Sequence, residues 1–262
     1  ALIFHLPGYL ILPLALLAGS LAGALNGFLV VYLRLQPFIA TLATLAAYRG
    51  LTYTISGRQL VPGLTTTAIT DPWITSIETY YDIGGWLGLT KWVNMPWIPL
   101  SFLLMLLVFA AFQVLLVMTR FGRDIYAVGG NEEAARLAGI STNLVIMLAY
   151  TLSGFAAAIT ALIMVARFTT STEALGTGME LTTIAAAVIG GVSLAGGTGS
   201  MFGPLIGAFL MGGILLGLTL LGISQFVQQI ITGVILLAAI SNDRLLAIRR
   251  RPKSQAVASG AN

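Results

Sequence analysis

The sequence predicts an all-α polytopic bundle of transmembrane helices, with about seven spans and helix breaks near Gly196–Gly199. Three observations predict it. Charge is scarce: 8% of the residues are Asp, Glu, Lys or Arg, against roughly 25% in soluble domains. The charges are bunched, so that Leu6–Leu33, Trp92–Thr119, Leu137–Ala166 and Leu181–Asn242 carry none. A spanning helix needs about 20 apolar residues, so the first three runs hold one span each and the last holds about three. Finally, the basic residues favour alternate loops.

Taken in order, the spans are expected at 10–33, 37–57, 98–119, 143–166, 181–197, 203–221 and 224–241. The runs are too long for strands, which separates helix from strand where periodicity cannot. Alternation puts Arg34, the 120–142 loop with Arg120, Arg123 and Arg136, and the C-terminal Arg244, Arg249, Arg250, Arg251 and Lys253 on one side. Only Arg58, Lys91 and Arg167 fall in loops on the other side. The richer side is cytoplasmic by the positive-inside rule. Residues 1–242 therefore form a transmembrane domain, and 243–262 a basic cytoplasmic tail that is solvated and disordered from Arg249. Starting at Ala1 and lacking a signal-peptide pattern, the sequence reads as missing an upstream part.

The long outer loop 58–97 gathers Trp73, Tyr80, Tyr81, Trp86, Trp92 and Trp97. An interfacial aromatic belt accounts for it; so does a lid that meets a delivered solute or an external partner. Gly19, Gly23 and Gly27 are four apart, as are Gly199, Gly203 and Gly207. In lipid such spacing lets helices approach closely, either as fixed packing or as seams that slide.

Covalent chemistry has no visible apparatus. There is no cysteine, and the one histidine is His5 at the edge of the chain. No metal site, catalytic residue or phosphate loop can be assembled; Gly196-Gly197-Thr198-Gly199 lacks the following lysine and sits in an apolar run. The net charge of +4 is explained by cytoplasmic ends, so nucleic acid is not implied.

The most specific segment is 121–140. Gly129-Gly130 breaks the chain, and Asn131 is a good N-cap. Glu132 and Glu133 suit the first turn, Glu132 and Arg136 are four apart, and Gly139 ends the helix. A helix of about two turns is too short to stand alone in water, so it needs a surface to dock on. Lying on the membrane is the plainer alternative.

Glu133-Ala134-Ala135, followed three residues later by Gly139, resembles the coupling loop of binding-protein-dependent ABC permeases. The longer string from Ala127 to Ile140 is similar to their ribose/xylose/galactoside branch. Gln36-Pro-Phe-Ile-Ala-Thr-Leu with Arg49-Gly50, and Val188 to Ser200 with Gly203 and Gly207, resemble two further blocks of that family. The family's N-terminal spans, with an Asp-Leu-Ser-Val-Gly-like block, have no counterpart in the sequence.

The resemblance implies an importer of a monosaccharide or related small polar solute in the bacterial inner membrane. Two permease chains, identical or different, would line a path. ATP-binding subunits, carrying ATP and Mg, would dock on Gly130, Asn131, Glu132, Glu133, Ala134, Ala135, Arg136 and Gly139. An extracytoplasmic substrate-binding protein would deliver the solute, and membrane lipids would surround the whole. Asn26, Thr41, Thr44 and Arg49 are the polar residues within spans that could line the path. For Arg49, outward snorkelling or capping of backbone carbonyls competes with that role. Three other readings stand beside the main one: a nucleoside or branched-chain amino-acid permease, an ion-coupled secondary transporter, and a membrane scaffold that transports nothing. Against ion coupling, no span carries an acidic residue in its interior.

Overall fold

The computed structural model describes residues 8–57, 72–78, 80–81, 98–171 and 175–250. It is helical almost throughout, as lipid demands of any chain whose backbone must satisfy its own hydrogen bonds. The helices are α1 (Gly8–Val31), α2 (Pro37–Ser56), α3 (Pro72–Thr75), α4 (Leu100–Met118), α5 (Arg120–Gly130), α6 (Glu132–Leu137), α7 (Thr142–Phe168), α8 (Met179–Ile189), α9 (Phe202–Leu220) and α10 (Gln225–Arg250). A 3₁₀ turn, Ser76–Glu78, follows α3. Tyr80–Tyr81 pairs antiparallel with Ile98–Pro99. Among the described residues, four segments are long and apolar enough to cross a membrane: Tyr9–Val31, Leu100–Met118, Thr142–Phe168 and Phe202–Leu220. The fold is an all-α polytopic membrane bundle. Trp86, Trp92, Trp97, Arg58, Lys91, Arg251 and Lys253 lie outside the described residues.

The chain divides into two compact units. In the first, α1 and α2 form a hairpin turned at Arg34, which has φ +54°. The Tyr48 hydroxyl donates to the Ala22 carbonyl at 3.1 Å and ties the two helices. Against the other side of α1 lies antiparallel α7. The expected glycine seam is there. A Cβ built on Gly19 would sit 2.6 Å from both Ala158 Cβ and the Gly154 carbonyl oxygen. One on Gly23 would meet the Tyr150 carbonyl and lie 3.1 Å from Gly154 Cα, and one on Gly27 would lie 3.1 Å from Met147 Cα. Hydrogen at these positions is what lets the backbones touch. Part of the long loop folds back: Ile74 (1% exposed) and Ile77 pack with Ile11 and Ala166 in one apolar cluster. Apolar spacing did not reveal this, because a four-residue helix has no period to read.

In the second unit, α8 packs on α9 and α10. Ala185, Ala186 and Met211 (1% exposed) form its core, with Ile189, Ile235 and Leu236 around them. Gly203 and Gly207 face Gly190 and the Ala186 carbonyl, where any side chain would collide with backbone. Gly199 does not continue that seam. It lies in the loop between α8 and α9, at φ +151°, beside Val192.

Three boundaries depart from the expectation. The span expected at 181–197 is an 11-residue helix, Met179–Ile189. It stops early because Gly190 and Gly191 follow, Gly191 at φ +87°, so the break begins before Gly196–Gly199. Residues 120–130, expected as an open loop, are helical. Their start is capped: the Gly122 N–H donates to Thr119 Oγ1 at 3.1 Å. Gly122 fits under the Leu115 and Leu116 carbonyls where a side chain could not, so packing outweighs its poor propensity. Last, α10 continues past 242 to Arg250, so the first part of the expected tail is helix.

Candidate functional site

Two sites emerge. The first is a cavity of about 900 Å³ within the first unit, walled by α1, α2 and α7. It runs from Ile74 and Ser171 at one end towards Asn26 and Thr41 at the other. Its walls are largely Gly, Ala, Ile and Leu, interrupted by hydroxyls and one amide, and among the described residues no charged side chain lines it. Small residues make the space: Gly19, Gly23, Gly154, Ala157 and Ala158 leave room where larger side chains would fill it.

Of the four polar residues expected on a path, Asn26 and Thr41 line the cavity. Thr44 sits just behind, 8% exposed, and donates to Asn26 Oδ1 at 2.7 Å. The amide of Asn26 is thereby held with its NH₂ group uncommitted among the described residues. Arg49 does not line the cavity. It is half-buried on α2, one residue and about 100° around the helix from the lining residue Tyr48. Sequence reasoning missed Tyr48, Thr52, Tyr150 and Ser153, which also line it. The signal existed: the glycines four apart on α1 fix which face meets α7, and Tyr150 and Ser153 flank that meeting line.

The second site is α6. Glu132 and Glu133 open it and Arg136 closes it, in agreement with the helix dipole. Arg136 pairs with Glu133 at 3.1 Å, three residues away, rather than with the expected Glu132. Both side chains are largely exposed, so the pair adds little stability. The end is a Schellman motif: Gly139 N–H donates to the Arg136 carbonyl and Ile140 N–H to the Ala135 carbonyl, both at 3.0 Å. Gly139 takes the φ of +86° this needs, and the space beside its Cα is open. Ala135 anchors the helix, 5% exposed, while Asn131, Ala134 and Leu137 face outward, Leu137 at 82% exposure. The preceding Gly129-Gly130 is not a chain break but the end of α5. It packs backbone on backbone against Gly196-Gly197, with a Cβ on Gly197 placed 2.6 Å from Gly130 Cα.

Among the described residues, no group of three or more His, Asp or Glu side chains could hold a metal ion.

A family model described as "Branched-chain amino acid transport system / permease component" matches residues 3–240. The chain belongs to this family. The permease is 41% identical over 234 residues to the ribose import permease protein of Escherichia coli strain K12, covering 87% of this chain and 67% of that one. It is 37% identical over 222 residues to the L-arabinose transport system permease protein of the same strain, covering 84% and 61%. It is 34% identical over 245 residues to the autoinducer 2 import system permease protein of Yersinia pseudotuberculosis, covering 92% and 64%. The chain thus spans two thirds or somewhat less of the length of these relatives. No solved structure matches it. The family and the apolar helices make this a multi-pass membrane protein, the permease component of a transport system.

Proposed function

We propose that this permease carries a neutral monosaccharide-like solute across the bacterial inner membrane, driven by ATP hydrolysis on separate subunits. The observation that carries the substrate class is the cavity: hydroxyls and an amide in an apolar wall, with no charged side chain lining it among the described residues. A zwitterionic amino acid taken out of water needs partners for both charges. A sugar needs only hydrogen bonds, and weak ones, or it would not leave. The named ribose, arabinose and autoinducer 2 relatives support the sugar reading over the amino acid in the family description.

The coupling element is α6 with Gly130, Asn131 and Gly139 at its ends. Six residues cannot hold a helix alone, and an outward leucine at 82% exposure is unfavourable in water. Both facts fit docking on an ATP-binding subunit that carries ATP and Mg. The charge asymmetry supports a cytoplasmic position for α6 and the C-terminal end. A substrate-binding protein on the outer side and a second permease chain complete the assembly.

The test is a reconstituted importer: the full permease, its ATP-binding subunits and its binding protein. Gly139→Asp forces a carboxylate into a left-handed position at the negative end of the helix. Glu133→Lys removes the ion pair with Arg136 and opposes the positive end. Both variants should insert normally and lose stimulated ATP hydrolysis and uptake. Full stimulation in both, or uptake of labelled L-leucine in place of labelled D-ribose by the unaltered complex, would refute the proposal.

A further inference from the structure

Hydroxyl groups in membrane helices usually donate to their own backbone, because lipid offers no other partner. The permease follows this rule at Ser20, which donates to the Leu16 carbonyl at 2.7 Å, at Thr151 to Met147 at 2.8 Å and at Thr160 to Ala156 at 3.1 Å. On the cavity wall, Thr41, Tyr48 and Thr52 also have backbone acceptors. Tyr150 and Ser153 differ. Both line the cavity, and neither hydroxyl has a hydrogen-bond partner among the described residues. They lie three apart on α7, hence on one helix face.

The seam brings a third open group to the same level. Gly27, next to Asn26, packs against Tyr150 Cβ, with a built Cβ 3.2 Å away. Asn26 spends its carbonyl oxygen on Thr44, which leaves two N–H donors. Uncommitted groups from two helices thus border one apolar space: an amide donor, and two hydroxyls that can each donate and accept. Once a solute fills the space and displaces water, leaving such groups unpaired is costly, whereas a polyol can satisfy them all.

We propose that Tyr150 and Ser153 are specificity residues of the transport path and, with the Asn26 amide, receive the hydroxyls of a neutral polyol in transit. This rests on the cavity being that path. The inner site reads hydroxyls independently of the binding protein. A solute of similar size that lacks them leaves three polar groups unpaired and crosses slowly.

The experiment uses the reconstituted full importer. The sequence has no cysteine, so Ser153→Cys introduces a reporter with no cysteine background from these residues. A membrane-impermeant methanethiosulfonate reagent should modify it, and D-ribose with binding protein should slow the reaction. Tyr150→Phe keeps the ring and removes the hydroxyl; Ser153→Ala does the same at the second site. Each should lower the maximal rate of D-ribose uptake about fivefold to tenfold, the scale of one lost hydrogen bond. Half-saturation, set by the binding protein, should not move, and stimulated ATP hydrolysis should stay within about twofold of the unaltered complex. Sugar carried per ATP therefore falls, which a merely structural defect would not produce. Thr160→Val, whose hydroxyl already has a backbone partner, should transport normally.

The failures separate. A Ser153→Cys protein that is never modified would refute the path reading and this inference with it. A modified cysteine with full-rate uptake in both hydroxyl variants would refute recognition alone and leave the path in place. Should Tyr150→Phe fail to reach the membrane, Ser153→Ala decides.

Discussion

Gly23→Ala is the sharpest test of how α1 and α7 are joined. The added methyl would meet the Tyr150 carbonyl oxygen and come within 3.1 Å of both the nitrogen and Cα of Gly154. All three are backbone atoms, so no side chain can rotate away. Cβ atoms do not approach backbone so closely in real proteins, and α1 and α7 must separate by about 1 Å, which lifts Gly19 and Gly27 off their partners as well. Overpacking of this kind costs about 1–3 kcal/mol. The propensity gain of alanine over glycine in a helix returns about 0.8–1.0 kcal/mol. A net loss of up to about 2 kcal/mol follows, a shift of a few degrees in thermal midpoint for a chain of this size. The control is Gly217→Ala on α9, where a built Cβ meets nothing within 4 Å and only the propensity gain remains. Thermal unfolding of the purified permease in nanodiscs, followed by tryptophan fluorescence, measures both. Gly217→Ala should match or exceed the unaltered protein and Gly23→Ala should melt lower. If Gly23→Ala melts with Gly217→Ala, the backbones do not touch at the seam.

Other outcomes follow from the same geometry. Gly207→Val should lower the thermal midpoint more than Gly23→Ala, since its side chain is larger and meets the Ala186 carbonyl of α8; an unchanged midpoint would mean that α8 does not rest on α9. A cysteine at Ser171, at the Ile74 end of the cavity, should react with an impermeant reagent added outside intact cells; labelling only from the cytoplasm would invert the proposed orientation. Arg49→Gln should leave D-ribose uptake within about twofold, because Arg49 does not line the cavity and glutamine keeps much of its half-buried stem. A tenfold fall would put that arginine back on the path.

Much of the bundle was legible because lipid simplifies the code. Uncharged length alone placed α1, α4, α7 and α9 to within a few residues, and the apolar stretch between Arg34 and Arg58 placed α2 in spite of Arg49. It failed at α8, because the apolar run continues through Gly190–Gly199 while the backbone does not stay helical. Hydropathy reports what lipid tolerates, and glycine is tolerated there whether helical or not. It failed at α5 for the opposite reason: the charged loop with Gly129-Gly130 read as broken chain, yet those glycines end a helix in which Gly122 allows close packing and Thr119 supplies the cap. The α6 boundaries were readable because capping is local chemistry; the choice of Glu133 over Glu132 was not, since both spacings suit Arg136. Within the cavity, Asn26 and Thr41 stood out as polar residues in apolar runs. Tyr150 and Ser153 did not, because tyrosine and serine are ordinary in such helices and only the partner helix shows which face they share.

The shortness of α8 bears on how the protein is made. Eleven residues at 1.5 Å each give about 16 Å, roughly half the hydrocarbon thickness. A translocating ribosome would find no free-energy minimum for such a segment in lipid, since its ends and the turns after Ile189 would be stranded among acyl chains. It can settle only when α9 follows, because α9 spans by itself and carries the glycines on which α8 rests. The two should therefore leave the translocon as one hairpin, with the later helix drawing the earlier one in. A nascent chain that has emerged from the ribosome only as far as Gly199 would hold α8 at the membrane surface, and one that has emerged past Leu220 would release it into the bilayer.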